Sequence, residues 1–233
     1  DISSMPSALF VSGNSGLNIK SGEAVFSEKD KVITKAIFGE GHKNEEKLGK
    51  GVFKQYGKGV EGFHISSCQF ALHYFFESKE MLTNFMRNLC ECTKVNGYFI
   101  GGCYDGNLIF EKLKNKKKGE GITLMNDDNS EKIWQIIKKY DNDKLKDDYS
   151  SIGIAIEIYQ ETINKPFTEF LVNFNYLVRI MENYGFVPLD DEDARNMGLP
   201  NGVGNFKELF EQLEQDVIRN KTIRKDIKRS LHM

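Results

Sequence analysis

Apolar residues in this chain fall into short runs, some unbroken and some stepped at helical intervals, separated by Gly-, Lys- and Asn-rich stretches. "SALFVSGN" at 7–14 reads as a buried strand ending in a Gly-Asn-Ser-Gly turn cluster. "GFHISSCQF" at 62–70 is the next strand. Ser78 then stands as an N-cap ahead of Leu82, Phe85, Met86, Leu89 and Cys92, whose three- and four-residue steps predict a helix. Gly97 in "VNGY" is the expected left-handed stop. "GYFIGGCY" at 97–104 is a third strand, and strand, helix and strand in succession predict a βαβ unit with a parallel sheet.

Residues 39–62, Gly- and Lys-rich without a clean period, read as a long mobile loop or insertion. Their Gly-Lys pairs lack the spacing of a phosphate-binding loop. A short helix is expected at 107–114. "NKKKGEG" and "NDDNSEK", within 115–132, read as solvated insertions flanking "IWQIIKKY", with 115–131 taken as mobile. "SIGIAIEIYQ" at 151–160 alternates as a strand does. After Pro166, Phe170, Leu171, Phe174, Leu177, Val178 and Met181 share one helical face, which predicts a helix ending at Gly185. "FVPL" reads as a short strand. "NFKELFEQLEQDVIRN" is a last amphipathic element before a basic "KTIRKDIKR".

Composition narrows the function. The 32 Lys and Arg nearly balance 34 Asp and Glu, so no global field draws the chain to nucleic acid, and any RNA contact must come from a local patch. No apolar stretch approaches the roughly 20 residues of a membrane helix, and no signal peptide opens the sequence. Cys68, Cys90, Cys92 and Cys103 form no C-x-x-C pair and read as reduced, space-filling thiols. The chain opens on Asp in what reads as the middle of a domain, which predicts further residues ahead of it.

One stretch carries chemistry. "SCQFALHYFFES" at 67–78 ends an apolar run in Gln, His, Tyr and a cluster of aromatics, more than a core strand requires. "FHISSCQFALHYFFES", with "NGYFIGG" about 20 residues on, resembles the mRNA cap guanine-N7 methyltransferases of eukaryotes and large DNA viruses. "KPFTEFLVNFNYLVRIMENYGFV" and "MPSALFVSGNS" are similar to further blocks of that family. The resemblance implies an α/β, Rossmann-like class I methyltransferase sheet with flanking helices, forming a single domain over 1–233. The family's N-terminal Gly-rich strand and turn are missing, although Asp1-Ile2-Ser3 matches the tail of a following strand.

The same resemblance implies the chemistry. A methyl group passes from S-adenosylmethionine to guanine N7 of a GpppN cap, with no metal and no catalytic acid or base. Asn14, Ser15, Gln69 and Tyr74 would bind the donor. Phe70, His73, Tyr74, Glu169, Phe206 and Phe210 would bind the cap, with Glu169 accepting from the guanine edge. Without the resemblance, Glu169 reads as stabilising a helix N-terminus, His73 as a structural histidine, Phe70 and Phe210 as core, and Asn14 as a turn residue. The lysines at 112, 114, 116, 117 and 118 read as a solvated loop.

Tyr104, Asn14 and Phe210 depart from a usual Pro, Asp and Tyr of the family. The implied partners are the capped mRNA 5′ end and other capping-enzyme domains or a stimulatory subunit, with no membrane. The implied setting is intracellular, nuclear for a cellular source and cytoplasmic for a viral one. A second reading, of another class, is an inactive methyltransferase-like cap-binding or regulatory subunit.

Overall fold

The computed structural model describes residues 7–219, which divide into two compact units on either side of Gly185 and Phe186. The first begins with α1 (Glu28–Ile37) and α2 (Glu45–Gln55). A parallel pair, β1 (Phe63–Gln69) and β2 (Thr93–Gly102), brackets α3 (Lys79–Cys92). Then come α4 (Gly106–Lys112), an antiparallel sheet of β3 (Gly121–Met125), β4 (Lys132–Lys138), β5 (Ala155–Gln160) and β6 (Lys165–Phe170) in sequential order, and α5 (Phe174–Asn183). The expected α/β architecture, a parallel sheet with flanking helices, is present.

The βαβ unit forms for the reasons its sequence gives. Ser78 accepts from the Met81 amide at 3.2 Å, capping α3. Leu82, Phe85, Met86 and Leu89 are buried, and Phe85 stacks on Phe75 at 4.1 Å and meets Phe99 of β2 edge-on at 6.1 Å. Each such side chain contributes about 1.5–3 kcal/mol of burial. The helix stops differently from expectation. Thr93 closes it by donating to the Leu89 carbonyl, and the left-handed residue is Asn96 (φ 64°), not Gly97. Asn96 lies in a bulge where the pairing steps from Phe63 opposite Thr93 to Ile65 opposite Tyr98. Gly97 serves close approach instead, since a Cβ there would sit 2.9 Å from the His64 carbonyl oxygen.

Other expectations are corrected. Residues 7–14 form no strand and are exposed, Phe10 to 89%. A strand needs a pairing neighbour, and among the described residues this segment finds only a bridge from Gly13 to Val25. Residues 39–62 contain a helix rather than a loop. Asn44 caps α2 by accepting from the Lys47 amide at 3.0 Å, Val52 is buried, and Gly49 (φ 73°) bends the helix. Residues 115–131 contain β3, paired with β4, whose Ile136 is buried.

The helix expected from Phe167 to Gly185 is β6 followed by α5. Asn173 caps α5 by accepting from the Tyr176 amide at 3.0 Å, and Gly185 follows its end at φ 84°. Pro166 is tolerated because β6 is an edge strand. One core joins α4 (Ile109, Phe110) to the antiparallel sheet (Ile136, Ile156, Ile158) and Leu171.

The second unit holds α6 (Asp191–Asn196) and α7 (Phe206–Arg219). Asp190 caps α6. Asn205 and Glu208 cap α7 reciprocally, Asn205 accepting from the Glu208 amide and Glu208 from the Asn205 amide. "FVPL" is irregular rather than a strand, its residues lacking any ladder. The Asp1-Ile2-Ser3 match and the basic "KTIRKDIKR" lie outside the described residues.

Gly106 opens α4 directly against the turn after β6, where a Cβ would lie 2.3 Å from the Val172 carbonyl oxygen. Gly106→Ala is expected to cost about 1–3 kcal/mol by overpacking, read as a lower urea midpoint with unchanged slope. Gly51→Ala, in open space on α2, should instead stabilise by about 0.5–1 kcal/mol.

Candidate functional site

The carboxyl ends of β1 and β2 lie side by side, with Gln69 paired to Gly102. The next residue, Phe70, donates its amide to the Gly102 carbonyl at 2.8 Å and takes φ 52°. A left-handed backbone costs a bulky L-residue about 1–2 kcal/mol and persists where the surroundings impose it. This bend carries the chain into a 3-10 turn, Leu72–Glu77, whose Leu72, Phe75 and Phe76 anchor it in the core. Between those anchors His73 is buried and Tyr74 is partly open at 41% exposure, their rings 4.2 Å apart.

Glu169 meets this turn from β6. It pairs with Ile156 and follows Phe167, which pairs with Ile158, so it occupies the core-facing stripe of its strand. Only 4% of Glu169 is exposed. Its Oε1 lies 3.4 Å from His73 Nε2, yet the contact is too poorly aligned for a hydrogen bond. Both ring nitrogens of His73 and Glu169 Oε2 are buried without a hydrogen-bond partner.

Separation alone would suit an ion pair, but burial opposes both charges. It lowers the His73 imidazole to about 4 and pushes the Glu169 carboxyl up to about 7. Near neutral pH, therefore, His73 is uncharged and Glu169 is poised to take or lose a proton. Tyr74 is raised by burial and by the Glu169 charge. Orphaned buried polar atoms are costly, at roughly 1–3 kcal/mol each, and a cluster of them marks a place built for a polar ligand.

The structure thus brings His73, Tyr74 and Glu169 together, with Gln69 at the strand end and Phe70, 62% exposed, at the bend after it. Gln69 is exposed and its amide donates to Ser67 Oγ (3.2 Å) and the Ile100 carbonyl (3.4 Å). Asn14 and Ser15 sit exposed on a separate turn, where Asn14 Oδ1 accepts from the Gly16 amide at 2.9 Å. Phe206 and Phe210 belong to the second unit, exposed to 56% and 44% on α7.

Two supporting residues, Asn88 and Asn173, went unread in the sequence, and a third, Tyr104, was read only as a departure from the family's usual Pro. Asn88 holds the turn bearing Ser15, and Asn173 is wholly buried as the α5 cap. Tyr104 Oη accepts from Gln160 at 2.9 Å, tying the end of β2 to β5. An amide amid an apolar helical stripe was the available signal for Asn88, and a cap position before Phe174, Leu177 and Met181 was the signal for Asn173.

Cys92 and Cys103 are pushed up to about 11 by burial, which keeps them as thiols. No group of three or more His, Cys, Asp or Glu among the described residues could hold a metal. No helix among them is long and apolar enough to cross a membrane.

The model of the mRNA (guanine-N(7))-methyltransferase domain matches residues 26–229. A probable mRNA-capping enzyme of Acanthamoeba polyphaga mimivirus is 33% identical over 131 residues, 54% of this chain and 11% of that protein. The mRNA cap guanine-N(7) methyltransferase of Drosophila melanogaster is 32% identical over 123 residues, 52% of this chain and 26% of the relative. The mRNA-capping enzyme catalytic subunit of Fowlpox virus is 29% identical over 162 residues, 65% of this chain and 17% of that subunit. The chain spans about a quarter or less of the length of these curated relatives. The family match takes in β1, the 3-10 turn, β6 and most of each compact unit, though not Asn14 and Ser15, and the chain belongs to the mRNA (guanine-N(7))-methyltransferase domain family.

Proposed function

We propose that the protein transfers a methyl group from S-adenosylmethionine to guanine N7 of the GpppN cap of mRNA. The observation that carries this reading is the buried Glu169 carboxyl, with an oxygen lacking a partner, beside the partnerless His73 ring at the strand ends. Guanine presents an N1–H and an exocyclic amine on one edge, and an ionised carboxylate accepts from both. Adenine lacks that pair of donors. Phe70 and Tyr74 supply aromatic surface for the base, and Phe206 and Phe210, exposed on α7, are offered as further cap-binding aromatics. Asn14 and Ser15 meet the adenine of the donor, and Gln69 and Tyr74 its methionine end.

The reaction asks little of acid–base chemistry. The lone pair on N7 attacks the sulfonium methyl, the carbon–sulfur electrons return to sulfur, and the products are a cationic 7-methylguanine and S-adenosylhomocysteine. No proton moves, so the residues here need only hold donor and acceptor close and in line. A neutral His73 suits this task, because an imidazolium would repel both the sulfonium and the cationic product. Both units form one methyltransferase domain in this reading, supported by the single family match across them. The substrate partner is the capped 5′ end of mRNA inside the cell. The capping-enzyme names of the poxviral and mimiviral relatives support association with further capping domains or a stimulatory subunit.

Labelled-methyl transfer to GpppA-capped RNA, with an m7GpppA control, tests the activity. The expected result is transfer to the unmethylated cap alone, and a loss of about a hundredfold or more in kcat/KM for Glu169→Ala, from two charge-assisted hydrogen bonds at roughly 1.5–3 kcal/mol each. Transfer to neither cap, or an unaffected Glu169→Ala enzyme, contradicts the reading.

Guanine binding needs the ionised carboxylate, whereas free Glu169 titrates near 7. Cap affinity should therefore rise about tenfold per pH unit below 7 and level off above it. Calorimetry of a cap dinucleotide between pH 5.5 and 8.5 reads this directly, and the slope should vanish in Glu169→Gln.

A further inference from the structure

We infer that Asn88 is a positioning residue for the methyl donor, fixing from within α3 the backbone path of the turn that carries Asn14 and Ser15. The inference rests on the proposed contact of those two residues with the donor's adenine. Asn88 is 3% exposed and faces inward between Phe85 and Leu89, where an aliphatic side chain would serve α3 packing as well. Its amide instead makes three hydrogen bonds, all of them to residues 15–19. Nδ2 donates to the Ser15 carbonyl at 2.8 Å and the Leu17 carbonyl at 2.7 Å, while Oδ1 accepts from the Ile19 amide at 2.9 Å.

Alternate residues of the turn are thereby pinned to one side chain. A second tie lies nearly one helical turn further along α3, where buried Asn18 donates to Glu91 Oε2 at 2.8 Å and accepts from the Ser21 amide at 2.7 Å. Toward the start of α3, Gly16 packs so closely that a Cβ would meet Met81 Sδ at 2.8 Å. Loop residues that contribute little apolar burial, Leu17 being 43% exposed, are thus held by hydrogen bonds. Asn14 and Ser15 remain exposed at the apex. A preorganised apex spares a ligand the cost of ordering it.

Binding of S-adenosylhomocysteine and of GpppA, each measured by calorimetry on the full chain, separates the claims. Asn88→Asp keeps the size and the acceptor but loses both donors. It is expected to weaken S-adenosylhomocysteine about tenfold or more while GpppA stays within about twofold of the parent. Asn18→Ala, which cuts the second tie, should shift the same affinity in the same direction by less. Leu82→Ala destabilises α3 through its core and should leave the affinity of the folded protein for either ligand unchanged.

If the double variant Asn14→Ala/Ser15→Ala weakens S-adenosylhomocysteine and Asn88→Asp does not, the positioning role is wrong and the donor reading stands. If the double variant binds as the parent does, or the parent binds none, the donor reading itself falls and the inference with it. Equal weakening of both ligands by Asn88→Asp would mark a general structural role and overturn the proposal.

Discussion

The buried contact of Glu169 with His73 is the constraint around which the first unit is arranged. A carboxyl and an imidazole 3.4 Å apart and hardly exposed, without a hydrogen bond between them, lower the stability of the fold. They stay together because each is held by an element that cannot yield. Glu169 lies on β6 between Phe167 and Leu171, both packed on the core under α4. His73 lies in a turn whose Leu72, Phe75 and Phe76 are buried on either side. The contact of Gly106 with Val172 then ties the end of β2 to the end of β6, and Tyr104 bonds across to Gln160. Stability is given up at one point and recovered in the packing around it.

The electrostatics follow from the same burial. With His73 low and Glu169 near 7, the pair is close to neutral when no ligand is bound. A base edge with two donors would convert Glu169 to its ionised form and satisfy its orphaned oxygen. Recognition and charge state are then linked, so the site reads hydrogen-bond donors rather than negative charge. That fits a chain whose acids and bases nearly balance, and the proposed transfer, which would move no proton.

Much of the parallel unit was legible because its signals are local. The cap at Ser78, the stripe from Leu82 to Leu89 and the "YFIGG" run each specify their element within a few residues. The string from Gln69 to Tyr74 was conspicuous because its residue types do not suit a core. What stayed hidden depends on partners distant in sequence. "SALFVSGN" has the composition of a strand, but pairing decides strands and none of the described residues offers it a ladder. Glu169 was assigned to a helix because the apolar stripe of α5 extends backwards through Leu171 and Phe170. Asn173, which interrupts that stripe as a cap, was the residue that settled the boundary. The helix that carries Phe206 and Phe210 was legible from its amphipathic face, while its cap at Asn205 and Glu208 was not.

The central claim is that the buried carboxylate of Glu169 reads the donor edge of guanine. The most direct measurement is a cycle of two proteins and two ligands, the parent and Glu169→Ala against GpppA and its inosine counterpart, which lacks the exocyclic amine. The account predicts that the parent binds the inosine cap about tenfold more weakly, from one lost charge-assisted bond of roughly 1.5 kcal/mol. Glu169→Ala should bind both caps weakly and equally. If the variant keeps the preference of the parent for guanine over inosine, some other group reads that edge, and the account of the site is wrong.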